Sequence, residues 1–335
     1  MYFLKSRYLD KLDKLAICVL ISITIIHCII FPLHNNLLYP DELYDAYSSN
    51  IRPRLEDIPK TRNLSKLLPG IEHSSAALKL PNTGKLFCFV ETSTVYYSTR
   101  ARAIAETWLP RCDNGRFFTK THMPYTDIPY STVYRNLEDS YYDLFRKTFF
   151  GFYYSYQHIS DKFDWYLKAD DDNYFVMDNL KSYLDTLDPS IPYYLGYRLK
   201  PFLKDGYNSG GAGYVLSNAA VRIFATKLYS NEKLCPYDWS EDRAIGRCLA
   251  SLGIVPQDTR DSMGYSRFNA FHMKEIPTVL PQYHYYPLKN RSLSSISEDF
   301  ISLHRVSPDK MILLDKILHP EKRNDNFRRE LLDLF

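Results

Sequence analysis

An apolar run that ends in three consecutive acids, Phe163-Asp164-Trp165-Tyr166-Leu167-Lys168-Ala169-Asp170-Asp171-Asp172, limits this chain more than any other stretch. Trp165, Tyr166, Leu167 and Ala169 read as a buried strand, and the acids fall at its carboxyl end. Side chains two apart in an extended backbone point the same way, so Asp170 and Asp172 share a face. Two carboxylates so placed can hold one hard cation through oxygen. A solvated acidic turn is the bland alternative. The preceding strand argues against it, because ligands of open α/β sheets gather at carboxyl strand ends.

The 335 residues have room for one large or two modest domains with a proper core. A formal net charge of +3 is too small for a nucleic-acid binder driven by phosphate neutralisation. No Walker A loop, HExxH or GxSxG occurs, which removes the common nucleotide hydrolases, zincins and α/β-hydrolases. The 29 tyrosines suit polar, stackable ligands such as sugars without establishing them.

Leu15 to Phe31 is apolar almost throughout, and Lys5, Arg7, Lys11 and Lys14 precede it. The positive-inside rule then puts residues 1–14 in the cytosol as a tail, 15–31 in the membrane, and the rest in a lumen. A cleaved signal peptide competes, but no A-x-A-like site follows, so an uncleaved single-pass type II anchor is favoured. Beyond the span stand Cys88, Cys112, Cys235 and Cys248. In an oxidising compartment four thiols suggest two disulfides in one of three connectivities, and Cys88–Cys112 with Cys235–Cys248 is the nearest-neighbour choice. Asn63 and Asn290 open N-x-S sequons that fit a lumenal chain.

Residues 32–84 carry six prolines between Pro32 and Pro81 and read as a stem, with folding expected to begin near Lys85. An N-terminal lobe packed on the core through Leu64, Leu67 and Leu68 is the alternative. Leu86–Val90 is then a buried strand, followed by a helix with Ala101, Ile104, Ala105 and Trp108 on one face. The spacing predicts a long helix over 137–158, with Lys147 a solvated amine, and a short one over 180–187. The segment Gly206 to Ser217 has three glycines in four positions, 210 to 213, which suits close approach of a ligand to backbone. Ser240 reads as the N-cap of a helix opened by Glu241 and Asp242, and residues 253–256 as a strand. Ser307-Pro308 starts a last helix.

Three segments together carry a resemblance. Trp165 to Asp172, Tyr207 to Ser217, and Glu241-Asp242-Arg243-Ala244-Ile245-Gly246-Arg247-Cys248 resemble the metal motif, glycine loop and EDxxxGxC helix of fringe-like β1,3-glycosyltransferases. The narrower likeness, through Phe202 to Ser217 and Asp258 to His272, is to the branch of that family that builds core 1 O-glycans. It covers about residues 85–306. The resemblance implies an α/β fold of the GT-A (Rossmann-like) type over 85–335, behind the transmembrane helix, in a Golgi membrane enzyme. It also implies Mn²⁺, UDP-galactose as donor, and a GalNAc-bearing glycoprotein or glycopeptide as acceptor, and it leaves room for a homodimer. By position, Asp170, Asp172 and His304 would hold the metal. Glu91, Thr92, Asp139 and Lys147 fall where the family contacts the nucleotide, with Asp170, Gly211 and Arg305 also on the donor side. Asp242 falls at the base, with Glu241 in reserve, and Tyr283 and Tyr285 on the acceptor. The cysteine pairing agrees with the family's.

Two departures lie on the acceptor side. The tryptophan-rich run before the YYP element is reduced to Leu280-Pro281-Gln282-Tyr283-His284, and paired cysteines ahead of His304 are absent. A fringe-like enzyme with another donor or acceptor is the rival within enzymes. A non-catalytic chaperone of such an enzyme is the rival outside them, and the intact acids argue against it.

Overall fold

The computed structural model describes residues 62–276, 278–289 and 295–319. The expected tail, transmembrane segment and most of the stem, and Asn290, lie outside the described residues. Among those described, no helix is long and apolar enough to cross a membrane.

The strands in chain order are β1 (Gly84–Glu91), β2 (Asn114–Phe118), β3 (Tyr130–Ser131), β4 (Phe163–Asp170), β5 (Tyr174–Phe175), β6 (Tyr194–Gly196), β7 (Arg198–Leu199), β8 (Tyr207–Asn208), β9 (Tyr214–Ser217) and β10 (Ser302–Leu303). Six form one sheet in the order β3-β2-β1-β4-β9-β6. The first four run parallel, while β9 is antiparallel to both β4 and β6. The fold is thus mixed α/β with a parallel-rich sheet. The helices are α1 (Leu64–Leu67), α2 (Ser75–Leu78), α3 (Arg100–Glu106), α4 (Leu144–Tyr154), α5 (Met177–Leu184), α6 (Asn218–Ile223), α7 (Glu241–Ala250) and α8 (Pro308–Leu318).

Central strand β4 is buried on both faces, as a parallel strand covered by helices must be. Trp165, Leu167 and Ala169 pack with α3, α5 and α8 through Ile104, Leu180, Met311 and Leu314. Tyr166 joins Phe87 and Phe89 of β1 on the other face, against Phe149 and Phe152 of α4 and Ile245 and Leu249 of α7. Two disulfides, Cys88–Cys112 and Cys235–Cys248, staple these layers.

Several expectations need correction. Residues 62–84 are not stem. Leu67 is buried in the core, Ser74 exchanges hydrogen bonds with Ile128 and Tyr130, and Asn136 donates to the carbonyls of Leu67 and Pro69. The apolar spacing of Leu64, Leu67 and Leu68 outweighs the proline content there. Helix α4 starts at Leu144 instead of 137, because Asp143 turns back to accept from the Glu138 amide and pairs with Arg146. Helix α5 starts and ends earlier than spacing suggested, at Met177 and Leu184. No strand forms over 253–256. Gly253 takes a left-handed φ of 77°, and Ile254 donates back to Leu249 at the end of α7.

Candidate active site

The parallel register sets Glu91 beside Asp170 at the carboxyl ends of β1 and β4. The chain turns after Asp170, and the turn separates the acids. Asp170 and Asp172 are half-buried, whereas Asp171 is buried and accepts from Thr92 at 2.8 Å and Arg100 at 3.0 Å. Burial pushes the Asp171 carboxyl up to about 7 against the pull of Arg100.

His304 comes from more than a hundred residues downstream. Strand β10 pairs antiparallel with β5, just after the acids, and the Val306 amide donates to the Asp172 carbonyl at 2.9 Å. The His304 ring is oriented by a 2.7 Å contact between Nδ1 and the Ala270 carbonyl. A carbonyl can only accept, so Nδ1 carries the proton and a neutral ring keeps a lone pair on Nε2. That nitrogen lies 3.7 Å from Asp172 Oδ1, a buried oxygen with no hydrogen-bond partner. Gly211 lines the same corner, where a β-carbon would overlap the His304 ring.

These donors fit a divalent cation. Carboxylate with imidazole suits Mn²⁺, and a hydrogen-bonded Nδ1 is the usual support of a metal-bound histidine. Asp170 is turned to Lys168, whose Nζ stands 2.5 Å from Oδ1. As the side chains stand, no three His, Cys, Asp or Glu among the described residues are gathered closely enough to hold a metal ion.

Lys168 was not singled out by the sequence reading, though its alternation with Asp170 was the available signal. It is buried under Asp170, Glu241 and Glu91, and these carboxylates hold its ammonium above the usual range despite burial. Glu241 is buried too. Its Oε1 accepts from the Tyr214 hydroxyl at 2.6 Å, its Oε2 lies 3.8 Å from Lys168, and burial pushes its carboxyl up to about 8. Asp242 is half-buried at the start of α7. Its Oδ1 accepts from Ser240 Oγ at 2.8 Å and the Arg243 amide at 2.7 Å, while Oδ2 is 3.5 Å from the Gly210 amide. Ser240 stands at the N-cap as expected but makes no capping bond, its hydroxyl being taken by Asp242.

Glu91 is enclosed, with Oε1 accepting from Tyr134 at 3.0 Å and Thr148 at 2.8 Å, and burial raises its carboxyl. Lys147 is buried, not solvated as spacing suggested. Its Nζ is 2.6 Å from Asp139, which also accepts from Ser93 Oγ. Against its own burial, Asp139 is held below the usual carboxylate range by Lys147. Arg305 takes a left-handed φ of 56° and pairs with Glu275 at 3.0 Å. Tyr283 is exposed, and Tyr285 lies against Arg198, whose guanidinium is 3.5 Å from the ring centre. Asn63 is exposed and caps α1 through Oδ1. Arg100 was also missed, since nothing in local spacing ties it to Asp171.

Comparison with known proteins bears on this arrangement. Residues 82–263 match the family model described as fringe-like. Glycoprotein-N-acetylgalactosamine 3-beta-galactosyltransferase 1 of Xenopus laevis is 29% identical over 258 residues, 74% of this chain and 70% of the relative. Chondroitin sulfate synthase 3 of Mus musculus is 29% identical over 208 residues, 55% of this chain but 23% of the relative. The Homo sapiens protein of the same name is 30% identical over 184 residues, 50% of this chain and 20% of the relative.

Proposed function

The chain belongs to the fringe-like family, and on that premise we propose that it is an inverting, metal-dependent β1,3-galactosyltransferase of the core 1 type. It moves galactose from UDP-galactose to O-linked GalNAc on glycoproteins, through a lumenal GT-A domain anchored in the Golgi membrane by residues 15–31. The observation that carries the reading is the buried Asp172 Oδ1, without a hydrogen-bond partner, 3.7 Å from His304 Nε2 at a carboxyl strand end. A buried carboxylate oxygen without a partner is costly unless something positive completes it.

Asp170, Asp172 and His304 would hold Mn²⁺, which when bound supplies Lewis-acid stabilisation of charge on the departing diphosphate. Lys168 keeps Asp170 in place through its 2.5 Å contact, and Asp171 is tied inward by Arg100 and Thr92. Asp139, Lys147, Thr92 and Arg305 line the donor side, and Glu91 supports that side from within the core. Asp242 is the base. Its Oδ1 is fixed by two close donors, and Oδ2, which has only the long 3.5 Å contact with the Gly210 amide, takes the proton of the acceptor hydroxyl as it attacks the anomeric carbon from the face opposite UDP. Glu241 is unsuited to that task because Tyr214 and Lys168 enclose it. Tyr283 and Tyr285 lie on the acceptor side.

The test incubates the full chain in detergent with Mn²⁺, a GalNAc-peptide and, separately, UDP-galactose, UDP-GlcNAc and UDP-GalNAc. Galactose transfer is expected, abolished by EDTA and crippled in Asp172→Ala. Transfer persisting in that variant refutes the metal assignment. Asp242→Asn is expected to bind UDP and lose turnover, and wild-type turnover in it removes Asp242 as base.

A further inference from the structure

Exposed aromatic rings cluster around the first turn of α7. Phe202, at the tip of the turn between β7 and β8, is 75% exposed, and Trp239, three residues ahead of Asp242, is 44% exposed. Phe202 also holds a φ of 72°, a region that a bulky residue enters at a cost. Outliers of this kind persist where the surrounding structure or a function requires them. The Phe202 ring lies largely in solvent, and the contact it makes is with a guanidinium, not with the core.

One side chain joins the two rings. The Arg243 guanidinium lies 5.2 Å from the ring centre of Phe202 and 5.5 Å from that of Trp239. It is fixed by a fork on Asp238, with contacts of 3.0 and 2.6 Å, a carboxylate that also pairs with Arg247 at 3.2 Å. The Arg243 amide in turn donates to Asp242 Oδ1 at 2.7 Å. The platform therefore holds its guanidinium in place and is continuous in the chain with the proposed base. Tyr283 belongs to the same neighbourhood. Its carbonyl accepts from the Lys200 amide at the start of the Phe202 turn.

We propose that Phe202, Arg243 and Trp239 form the seat for the polypeptide part of a glycopeptide acceptor. Apolar or proline side chains next to the glycosylated residue stack on this seat while the sugar lies at Asp242. The proposal rests on the galactosyltransferase reading above. Both rings face the guanidinium of Arg243, the residue that follows Asp242 in the chain, so a group held at Asp242 has exposed aromatic surface beside it. Flat apolar groups with a fixed guanidinium favour uncharged partners.

Steady-state kinetics on a GalNAc-glycopeptide and on methyl α-GalNAc test it. Phe202→Gly removes the ring while glycine accepts the same φ, so the fold is spared. That variant and Trp239→Ala are each expected to raise KM for the glycopeptide about fivefold with kcat unchanged, leaving KM for methyl α-GalNAc within about twofold. Unaltered glycopeptide KM in both overturns the proposal, as does an equal rise on the two acceptors, which would make this a sugar seat. Binding is read without turnover from tryptophan emission. Trp108 and Trp165 are buried at 0% and 1%, so Trp239 is the exposed member of the three in the chain. The glycopeptide should shift that emission and methyl α-GalNAc should not; no shift with the glycopeptide overturns the seat. Wild-type protein inactive on both acceptors sinks the galactosyltransferase reading, whereas wild-type transfer with silent variants sinks only the seat.

Discussion

Gly211 lies so close to His304 that a β-carbon on it would overlap the imidazole ring. Alanine there must push the ring off the Ala270 carbonyl that fixes its tautomer. Loss of such a support typically weakens metal binding about 10–100-fold. Gly211→Ala is expected to do the same for Mn²⁺, measured by calorimetric titration, with the melting temperature nearly unchanged. Wild-type affinity in this variant would show that His304 is not a ligand.

Lys168 is the buried cation shared by Asp170 and Glu241. Removing one partner of a buried ion pair strands the other, at a cost of about 3–5 kcal/mol. Lys168→Met should lower unfolding stability in urea by that order. Adding Asp170→Asn should recover part of the loss, since one stranded charge disappears. Strict additivity of the two changes would mean that they do not interact.

Glu241 gives stability a pH dependence of definite sign. Its folded carboxyl is pushed up to about 8 from 4.5, chiefly by burial. The native state then binds the proton more tightly than the unfolded chain, so this contribution is complete below about pH 4.5 and is lost as pH rises toward 8. The slope cannot exceed about 1.4 kcal/mol per pH unit. Urea unfolding in pH steps across that window should show declining stability, flattened in Glu241→Gln. A slope surviving that substitution would assign it to another group.

The Cys235–Cys248 bridge closes a 13-residue separation against the end of α7. Its removal as Cys235→Ser with Cys248→Ser is expected to lower stability by about 2–4 kcal/mol, in part through added freedom of the unfolded chain. Both positions are fully buried, so the hydroxyls add to the loss. Equilibrium unfolding of the double variant measures it, and an unchanged midpoint would contradict it.

What could be read before folding was whatever depends on neighbours in the chain. A continuous apolar run located β4 and the acids at its tip, and 3.6-residue spacing located the buried faces of α4 and α7. Boundaries were less legible. Gly253 marks the end of α7 in the sequence as it does in the fold, but Asp143 delays the start of α4 through its pairing with Arg146, which spacing does not encode. The stem was misjudged because proline content says how stiff a segment is, not whether Leu67 finds a core to enter.

The amino-acid order alone therefore determined a mixed α/β sheet with acids at a carboxyl strand end and a carboxylate pair opening a later helix. Only the tertiary structure decided that Asp171 is held inward by Arg100, that Lys168 is buried beside Asp170 and Glu241, and that Glu241 is enclosed while Asp242 stays accessible. The reason is physical. Electrostatic environment is set by groups distant in sequence, and β10 brings His304 to Asp172 only after the sheet has formed.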